Sequence, residues 1–511
     1  MKFVYHKIDK LPRLSWCAII KKQNRIIDVF HGPWVETKSK FFVEGAWDGT
    51  FKEGNFDRSF LMGSGGKING NKTIFCTPYH IHEKLFSLKI NNQLFVSPSL
   101  TFLLAITGKN LDINYIPYQV DLLNMVRNMS NHIGSIPIEG KMEITVYHFR
   151  NIEVNSDLSI SILNKANTPD FKKFEDYRDF LIEKLRLLAE NANSIDRKIQ
   201  YTPISTISSG YDSSACSALA TYIGCKDAVT FKTARAEKGL KDRIDSGKQI
   251  GQKLGLNVKE YDLLDYLNSA GIPEAEFVAC GDLGQDFNLC SFEEAWSQKM
   301  VIIGNHGDHI WDRKYKNPQK DIFRRGSGGC CWSEFKFRVG WIYVPLPYIG
   351  CLSHPSIYNI SNSKEMEPWC MWNEYDRPIS RRIVEEKGVG RNLFGKEKKA
   401  ISVLLNTDKR LRSQMNLNSL KSFEEFHRAN KHKRNQLKQA LWNCIFILYR
   451  IYSMLFQRLN YFFKKRDISF QIPCPIPDKF SQCPSSPSFL VHWGISLIKD
   501  RYKINDEHNL L

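Results

Sequence analysis

The sequence predicts an α/β protein with a β-rich α+β front half followed by a parallel sheet with flanking helices. Residues 1–165 hold short apolar or alternating runs, such as CAIIKK and MEITVYHF, separated by Gly, Asn and Asp turns. Next, FEDYRDFLIEKLRLLAENA places apolar residues at helical spacing and ends near Asn193. From there to about residue 430, short apolar strands alternate with helices, a pattern typical of a parallel sheet.

The elements of the second half follow from apolar runs and their boundaries. Strands are predicted at 202–207, 227–232 and 300–304, where β-branched and other apolar residues form short runs. Helices are predicted at 212–222 and 241–254, the second of them closed by Gly255.

Length and composition limit the classes of protein that fit. With 511 residues, of which 42% are hydrophobic, the chain can form two or three domains with substantial cores. The net charge of +18 favours an acidic partner, such as a nucleotide, a nucleic acid, an anionic lipid or an acidic saccharide. Thirteen cysteines without a CxxC pair, and no apolar leader at the start, predict reduced thiols in a cytoplasmic protein.

The loop SSGYDS, which follows the first strand of the second half, has the composition of a phosphate cradle. Gly210 permits close backbone approach, and amides at the start of the next helix attract an anion. Ser208, Ser213 and Ser214 can donate hydroxyls to phosphate, and Asp212 can hold Mg²⁺. Because Asp212 begins a helix and is not expected in the core, we expect its removal to leave the fold intact.

This loop resembles the SGGxDS loop of the ATP pyrophosphatase superfamily, and specifically that of the asparagine synthetase family. Ser209 stands where the family has glycine. VTFKT (229–233) resembles the second strand, which presents its backbone to adenine. IIGNHGDHIWDR (302–313) resembles the GEGADE loop, with Asp308 in the place of the second magnesium aspartate.

A late segment resembles the part of the family that carries a phosphate-neutralising lysine. In RRIVEEKGVGRNLFGKEKKA (381–400), either Lys398 or Lys399 can fill that role. The resemblance thus implies ATP and Mg²⁺ as cofactors, with Asp212 and Asp308 on the metal. It implies contacts to ATP and pyrophosphate from Ser208, Ser209, Gly210, Tyr211, Asp212, Ser213, Ser214, Phe231 and Gly304.

The front half resembles the family's glutaminase domain. Residues 73–108 look like its hairpins with the following strand and helix, and 132–146 look like its linker. The resemblance implies an N-terminal nucleophile (Ntn) hydrolase-like α+β domain and then an adenine nucleotide α-hydrolase-like (PP-loop) domain. The domains are predicted at 1–168 (degenerate amidotransferase-like), 169–430 (ATP-binding) and 431–511 (a basic, hydrophobic tail).

Two departures from the family bear on activity. Family glutaminases begin, after removal of Met, with a cysteine, whereas residue 2 here is Lys and the nearest cysteines, Cys17 and Cys76, are internal. We therefore expect an inactive glutaminase domain.

The second departure is Asn305, which replaces the family's catalytic glutamate in the 302–313 loop. An amide cannot take a proton from an attacking amine. Three residues are possible substitutes for that glutamate: His306, His309 and Glu334.

The resemblance implies an ATP-dependent ligase that adenylates a carboxylate, releases pyrophosphate and transfers an amine or ammonia to the acyl group. The expected substrate is a small acid or a sugar uronate. Alternatives are an asparagine synthetase that uses ammonia, a tRNA-modifying enzyme and an inactive scaffold. Nucleic acid is the less favoured partner, because the cluster or catalytic cysteines of tRNA-modifying relatives have no evident counterpart.

The tail has an apolar centre between basic flanks. Arg450 and Arg458 interrupt its apolar run, which makes 437–463 a poor transmembrane span. Packing on the protein's own core is the favoured expectation, and an interfacial helix on an anionic membrane surface is the alternative. In that alternative the protein is peripheral to the inner face of the membrane.

Overall fold

The protein combines two large antiparallel-rich sheets in its front half with a parallel sheet in its second half. The computed structural model describes residues 1–236, 242–315, 318–323, 326–373, 375–395, 399–466 and 474–504. The predicted α/β class, with a parallel sheet after a β-rich front half, is confirmed.

The front half is rich in strands and has two short α-helices. Its helices are α1 Leu100–Ile106 and α2 Tyr118–Asn124. Its strands are β1 Lys2–Lys7, β2 Trp16–Lys21, β3 Ile26–His31, β4 Glu36–Thr37, β5 Phe41–Ala46, β6 Met62–Asn69, β7 Lys72–Cys76, β8 Leu85–Ile90, β9 Gln93–Ser97, β10 Ile133–Ile138, β11 Met142–Tyr147, β12 Asn151–Val154 and β13 Ile160–Leu163.

These strands form two sheets that pack face to face. One has the order β1-β3-β2-β9-β8-β11-β10 and the other the order β13-β12-β7-β6-β5-β4. Trp16 and Ile20 of the first sheet share one buried cluster with Phe42, Phe75 and Ile152 of the second. This packing explains why apolar and polar residues alternate in the sequence, because every second side chain of these strands enters the core between the sheets.

The second half alternates strands and helices. Its strands are β14 Thr202–Thr206, β15 Asp227–Phe231, β16 Thr233–Ala236, β17 Asp242–Ile244, β18 Asn257–Tyr261, β19 Lys299–Ile303, β20 Ile342–Pro345 and β21 Lys399–Ala400. Its helices are α3 Phe174–Ala192, α4 Tyr211–Ala220, α5 Lys248–Lys253, α6 Ala275–Ala279, α7 Glu293–Trp296, α8 Gly307–Ile310, α9 Ser333–Val339, α10 His354–Ser361, α11 Pro378–Glu385, α12 Asp408–Gln414, α13 Leu417–Asn430, α14 Gln436–Lys465 and α15 Leu490–Ile498.

Five of these strands form the parallel sheet, in the order β18-β15-β14-β19-β20. The chain moves outward from β14 in one direction and, after β18, returns to add β19 on the other side. The order therefore reverses between β14 and β19, and a crevice opens at their carboxyl ends.

Both faces of this sheet are buried, which explains the continuous apolar runs in the sequence. In β19, Met300 and Ile302 belong to the cluster on one face, whereas Val301 and Ile303 belong to the cluster on the other. The second cluster also contains Ile19 of β2, so the front and second halves share hydrophobic core.

The predicted strands at 202–207, 227–232 and 300–304 and the helix at 212–222 are confirmed within one or two residues. The helix predicted at 241–254 is wrong in its first part. Residues 242–244 form a strand that pairs with β16, and α5 begins only at Lys248. Antiparallel pairing with the preceding strand overrode the local helical pattern there.

The tail contains two different helices. Helix α15 lies in the core, with Leu490, Val491 and Trp493 buried. Helix α14 does not, because each side chain that the structure describes between 436 and 463 is exposed or half-buried. The favoured expectation that 437–463 packs on the core was therefore wrong. Among the described helices, none is long and apolar enough to cross a membrane.

Candidate functional site

A cavity of about 1130 Å³ lies at the carboxyl edge of the parallel sheet, where the strand order reverses. The loops that follow β14 and β19 both contribute to its wall, as the topology requires. Its polar wall residues include Ser208, Gly210, Asp212, Ser213, Asp245, Gln285, Asp286, Asn305, His306, Asp308, His309, Arg377 and Arg410.

Serine hydroxyls hold the loop between β14 and α4 in shape. Ser213 Oγ lies 2.8 Å from Ser208 Oγ and accepts the Ser208 amide at 3.1 Å. Ser208 Oγ in turn accepts the Gly210 amide at 3.1 Å. Ser214 Oγ donates to the Ser208 carbonyl at 3.0 Å. The loop thus closes on itself and turns the amino end of α4 toward the cavity, where its dipole favours an anion.

Ser209, which departs from the family's glycine, has a structural partner. Its Oγ donates to Asp245 Oδ1 at 2.5 Å, and its amide donates to the Asp245 carbonyl at 2.9 Å. Asp245 itself lines the cavity. The serine therefore attaches the loop to the segment after β17, and this attachment is a physical reason for a side chain at this position.

Two glycines allow the loop after β19 to reach the first turn of α4. A Cβ on Gly304 would lie 2.7 Å from the backbone carbon of Asp212. A Cβ on Gly307 would lie 2.7 Å from the Asp212 carboxylate carbon. Such distances are too short for non-bonded carbon atoms, so a larger residue at either position would force the two segments apart.

Asp212 forms an ion pair with Arg377 across the cavity wall. Arg377 Nη1 donates to Asp212 Oδ2, and Ser380 Oγ lies 3.5 Å from Asp212 Oδ1. Burial alone would lower the pKa of Arg377, but Asp212, Tyr375 and Asp308 outweigh burial and raise it. The site thus holds a permanent cation next to its carboxylates, which suits phosphate groups.

Asp308 adds a second carboxylate to the same cavity. It lies in the first turn of α8, and its Oδ1 is 3.7 Å from His309 Nε2. In the described ranges no group of three or more His, Cys, Asp or Glu side chains is arranged to hold a metal. Two carboxylates alone suit Mg²⁺ that arrives with phosphate oxygens to complete its shell. The residues present therefore fit a magnesium–nucleotide complex.

The other end of the cavity is apolar. Phe231, at the end of β15, stacks on Phe292 with ring centroids 4.5 Å apart. Val229, Leu289 and Ile303 line the same end. A flat aromatic ring system fits such a wall, whereas charged groups fit the end with Asp212 and Arg377.

Asn305 belongs to a hydrogen-bonded chain that reaches the front half. Its Nδ2 donates to the Tyr343 hydroxyl at 2.9 Å, and that hydroxyl lies 2.6 Å from His82 Nδ1. His306 and His309 line the cavity, but Glu334 does not. Glu334 is instead buried between Ser99 and Tyr502, at 2.5 Å from each hydroxyl.

The structure brings most of the predicted contact residues together and assigns packing roles to the others. The cavity wall includes Ser208, Gly210, Asp212, Ser213, Phe231, Gly304 and Asp308. Ser214 is hydrogen-bonded within the loop, and Ser209 attaches the loop to Asp245. Tyr211 packs inward and stacks on Phe394 at 4.7 Å. Lys398 lies outside the described residues; Lys399 is placed by its backbone alone, in β21 beside β16.

Sequence reasoning missed Arg377. It precedes Pro378, the first residue of α11, in a stretch without a recognisable motif. The fold brings it to Asp212 across 165 positions of the chain. An arginine before a helix-starting proline is a common surface pattern, so no local signal could have identified it.

No protein-family model matches the chain, and no curated protein sequence matches it. The site is therefore interpreted from its own geometry together with the motif resemblance.

The expectation that Asp212→Ala leaves the fold intact stays a prediction, to which the ion pair with Arg377 adds a cost in stability. We predict that Asp212→Ala lowers the free energy of unfolding by about 3 kcal/mol, because it leaves the buried Arg377 guanidinium without its carboxylate. Urea unfolding measures this loss. Asp179→Ala is the control, since its exposed pair with Arg178 should contribute less than about 1 kcal/mol. Equal losses in the two variants would contradict a stabilising role of the Asp212–Arg377 ion pair.

Proposed function

We propose that the protein is an ATP- and magnesium-dependent ligase of the asparagine synthetase type. One observation carries the proposal: the loops after β14 and β19 bring Asp212 and Asp308 to one cavity at the switch point of a parallel sheet. In this proposal the second half is a PP-loop domain and the front half an Ntn-hydrolase-like domain. The substrate is a small carboxylic acid or a sugar uronate.

The first step is adenylation. A carboxylate oxygen of the substrate attacks the α-phosphorus of ATP, the bond to the bridging oxygen of the β-phosphate breaks, and pyrophosphate leaves. Asp212 and Asp308 would hold Mg²⁺, which when bound offsets the negative charge of the leaving pyrophosphate. The amino end of α4 and the Arg377 guanidinium stabilise the same charge. Phe231 and Phe292 bind the adenine ring.

The second step forms the amide. The nitrogen of an amine or ammonia attacks the acyl carbon, and AMP leaves with the electron pair of the carbon–oxygen bond. With its Nδ2 engaged by Tyr343, Asn305 offers its Oδ1 to an N–H of the incoming nitrogen. Asn305 is thus a positioning group. The proton that the nitrogen loses needs another acceptor, and His306 and His309 on the cavity wall are the candidates.

ATP–pyrophosphate exchange tests the proposed reaction. The protein is incubated with labelled pyrophosphate, ATP, Mg²⁺ and a panel of acids that includes aspartate, glucuronate and galacturonate. Exchange that depends on one of these acids supports the ligase. Tight Mg–ATP binding together with a tRNA gel shift and no exchange would favour the tRNA-modifying alternative, and absence of nucleotide binding would favour the scaffold.

We predict that Asp308→Asn weakens binding of Mg–ATP at least about tenfold, or about 1.4 kcal/mol, while AMP binding changes little. The reason is that Asp308 is proposed to act on the metal and the pyrophosphate, which AMP lacks. Isothermal titration calorimetry measures both constants. Asp262→Asn, at an exposed carboxylate paired with Lys232, serves as the control. Parallel weakening of ATP and AMP binding would contradict the role of Asp308.

We predict that Tyr343→Phe slows nitrogen transfer about tenfold but leaves acid-dependent exchange unchanged. Without the hydroxyl, Asn305 loses the partner that fixes its amide. Hydroxamate formation from hydroxylamine measures nitrogen capture. Tyr358→Phe, on α10, is the matched control. If exchange and capture fall together in Tyr343→Phe, the residue acts on the whole cavity and the positioning role is wrong.

We predict no glutaminase activity from the cysteines of the front half. Cys17 and Cys76 are completely buried in strands, and burial raises the pKa of the Cys76 thiol to about 12 and that of Cys17 further. Neither thiol can supply a thiolate near neutral pH. Glutamate release from glutamine, assayed with ATP and the acid that supports exchange, should stay at the level of a Cys17→Ser/Cys76→Ser variant. Glutamate formed in step with AMP by the native chain would overturn this prediction.

A further inference from the structure

Helix α14 presents a long apolar stripe to solvent. Leu441, Leu448, Ile451, Leu455, Leu459 and Phe462 recur at intervals of three, four or seven residues, so they lie on one side of the helix. These six side chains are between 44% and 64% exposed. A stripe of this length requires a partner, because exposed apolar patches of this kind mark binding surfaces.

The opposite side of the same helix attaches it to the body of the protein. Trp442 Nε1 donates to the Gln482 carbonyl at 3.0 Å, and its ring lies 4.6 Å from that of Phe480. Tyr449, two turns later, lies 3.3 Å from Asp478 through its hydroxyl. At 100° per residue these contacts lie roughly 120° around the helix from the centre of the stripe. The attachment therefore directs the stripe outward.

Charge identifies the partner. Residues 431–466 contain nine Lys and Arg residues and no Asp or Glu. A second copy of the helix would bring the five positive charges of α14 against the same five, which disfavours self-association through this surface. An anionic bilayer offers both an apolar layer for the stripe and negative headgroups for the basic residues. Arg450 and Arg458, within the apolar run, can reach those headgroups if the helix lies parallel to the surface.

We propose that α14 docks on an anionic lipid bilayer through this stripe and holds the body of the protein at the membrane surface. The docking is independent of the proposed ligase activity, because the cavity and the stripe share no residues.

Co-sedimentation with unilamellar vesicles tests the docking. The full chain is mixed with vesicles of phosphatidylcholine alone or with 30% phosphatidylglycerol, in 0.1 M and 0.5 M NaCl. We expect at least tenfold more binding to the anionic vesicles at low salt and partial release at high salt, since salt screens the charges but leaves the apolar contact. Equal binding to both vesicles, or binding to neither, would overturn the proposal.

A pair of variants assigns the binding to the stripe. Leu448→Glu/Leu455→Glu should reduce binding to anionic vesicles at least tenfold without loss of fold, because both side chains are half exposed. Leu417→Glu, at a similarly exposed leucine on α13, should bind as the native chain does. Circular dichroism of the native chain, the double variant and Leu417→Glu checks that all three proteins have the same fold. Undiminished binding by the double variant, or a dimer in light scattering that this variant dissociates, would overturn the assignment.

Discussion

The geometry of the cavity depends on one close approach, that of the loop after β19 to the first turn of α4. Two adjacent parallel strands, β14 and β19, end side by side at the reversal point. Only residues without a Cβ fit where the two segments touch, and the chain has Gly304 and Gly307 there. Because of this contact, Asp212 and Asp308, which lie 96 positions apart in the chain, line the same cavity.

The close approach of these two segments brings charged side chains together, and these side chains determine the electrostatics of the cavity. Two neighbouring carboxylates repel each other, and the buried Arg377 guanidinium offsets the charge of one of them, Asp212. The Asp212–Arg377 pair also joins α4 to the start of α11, so one contact both connects two helices and places a cation on the cavity wall. In the proposed function, Mg²⁺ would lower the negative charge that phosphate groups bring to these carboxylates.

The sequence predicted those parts of the fold that depend on local patterns. Strands β14, β15 and β19 follow from apolar runs, and the SSGYDS loop follows from turn and helix-start residues. Within that loop, however, successive side chains point in different directions, and local patterns cannot tell that Tyr211 packs inward while Asp212 faces the cavity. Arg377 depends on an ion pair with a residue 165 positions away, and such a contact leaves no trace in a short window. The strand at 242–244 pairs with the preceding strand β16, and the helical spacing of its residues concealed that pairing.

The positive charge of the chain is distributed unevenly over the fold. A net charge of +18 favours an acidic partner without indicating which part of the chain binds it. Residues 431–466, however, carry nine basic and no acidic residues, which is half of that net charge. The polar part of the cavity wall, by contrast, holds acidic as well as basic side chains. Half of the excess positive charge therefore lies in and next to α14 and not at the cavity, so the two proposed interactions can be tested independently of each other.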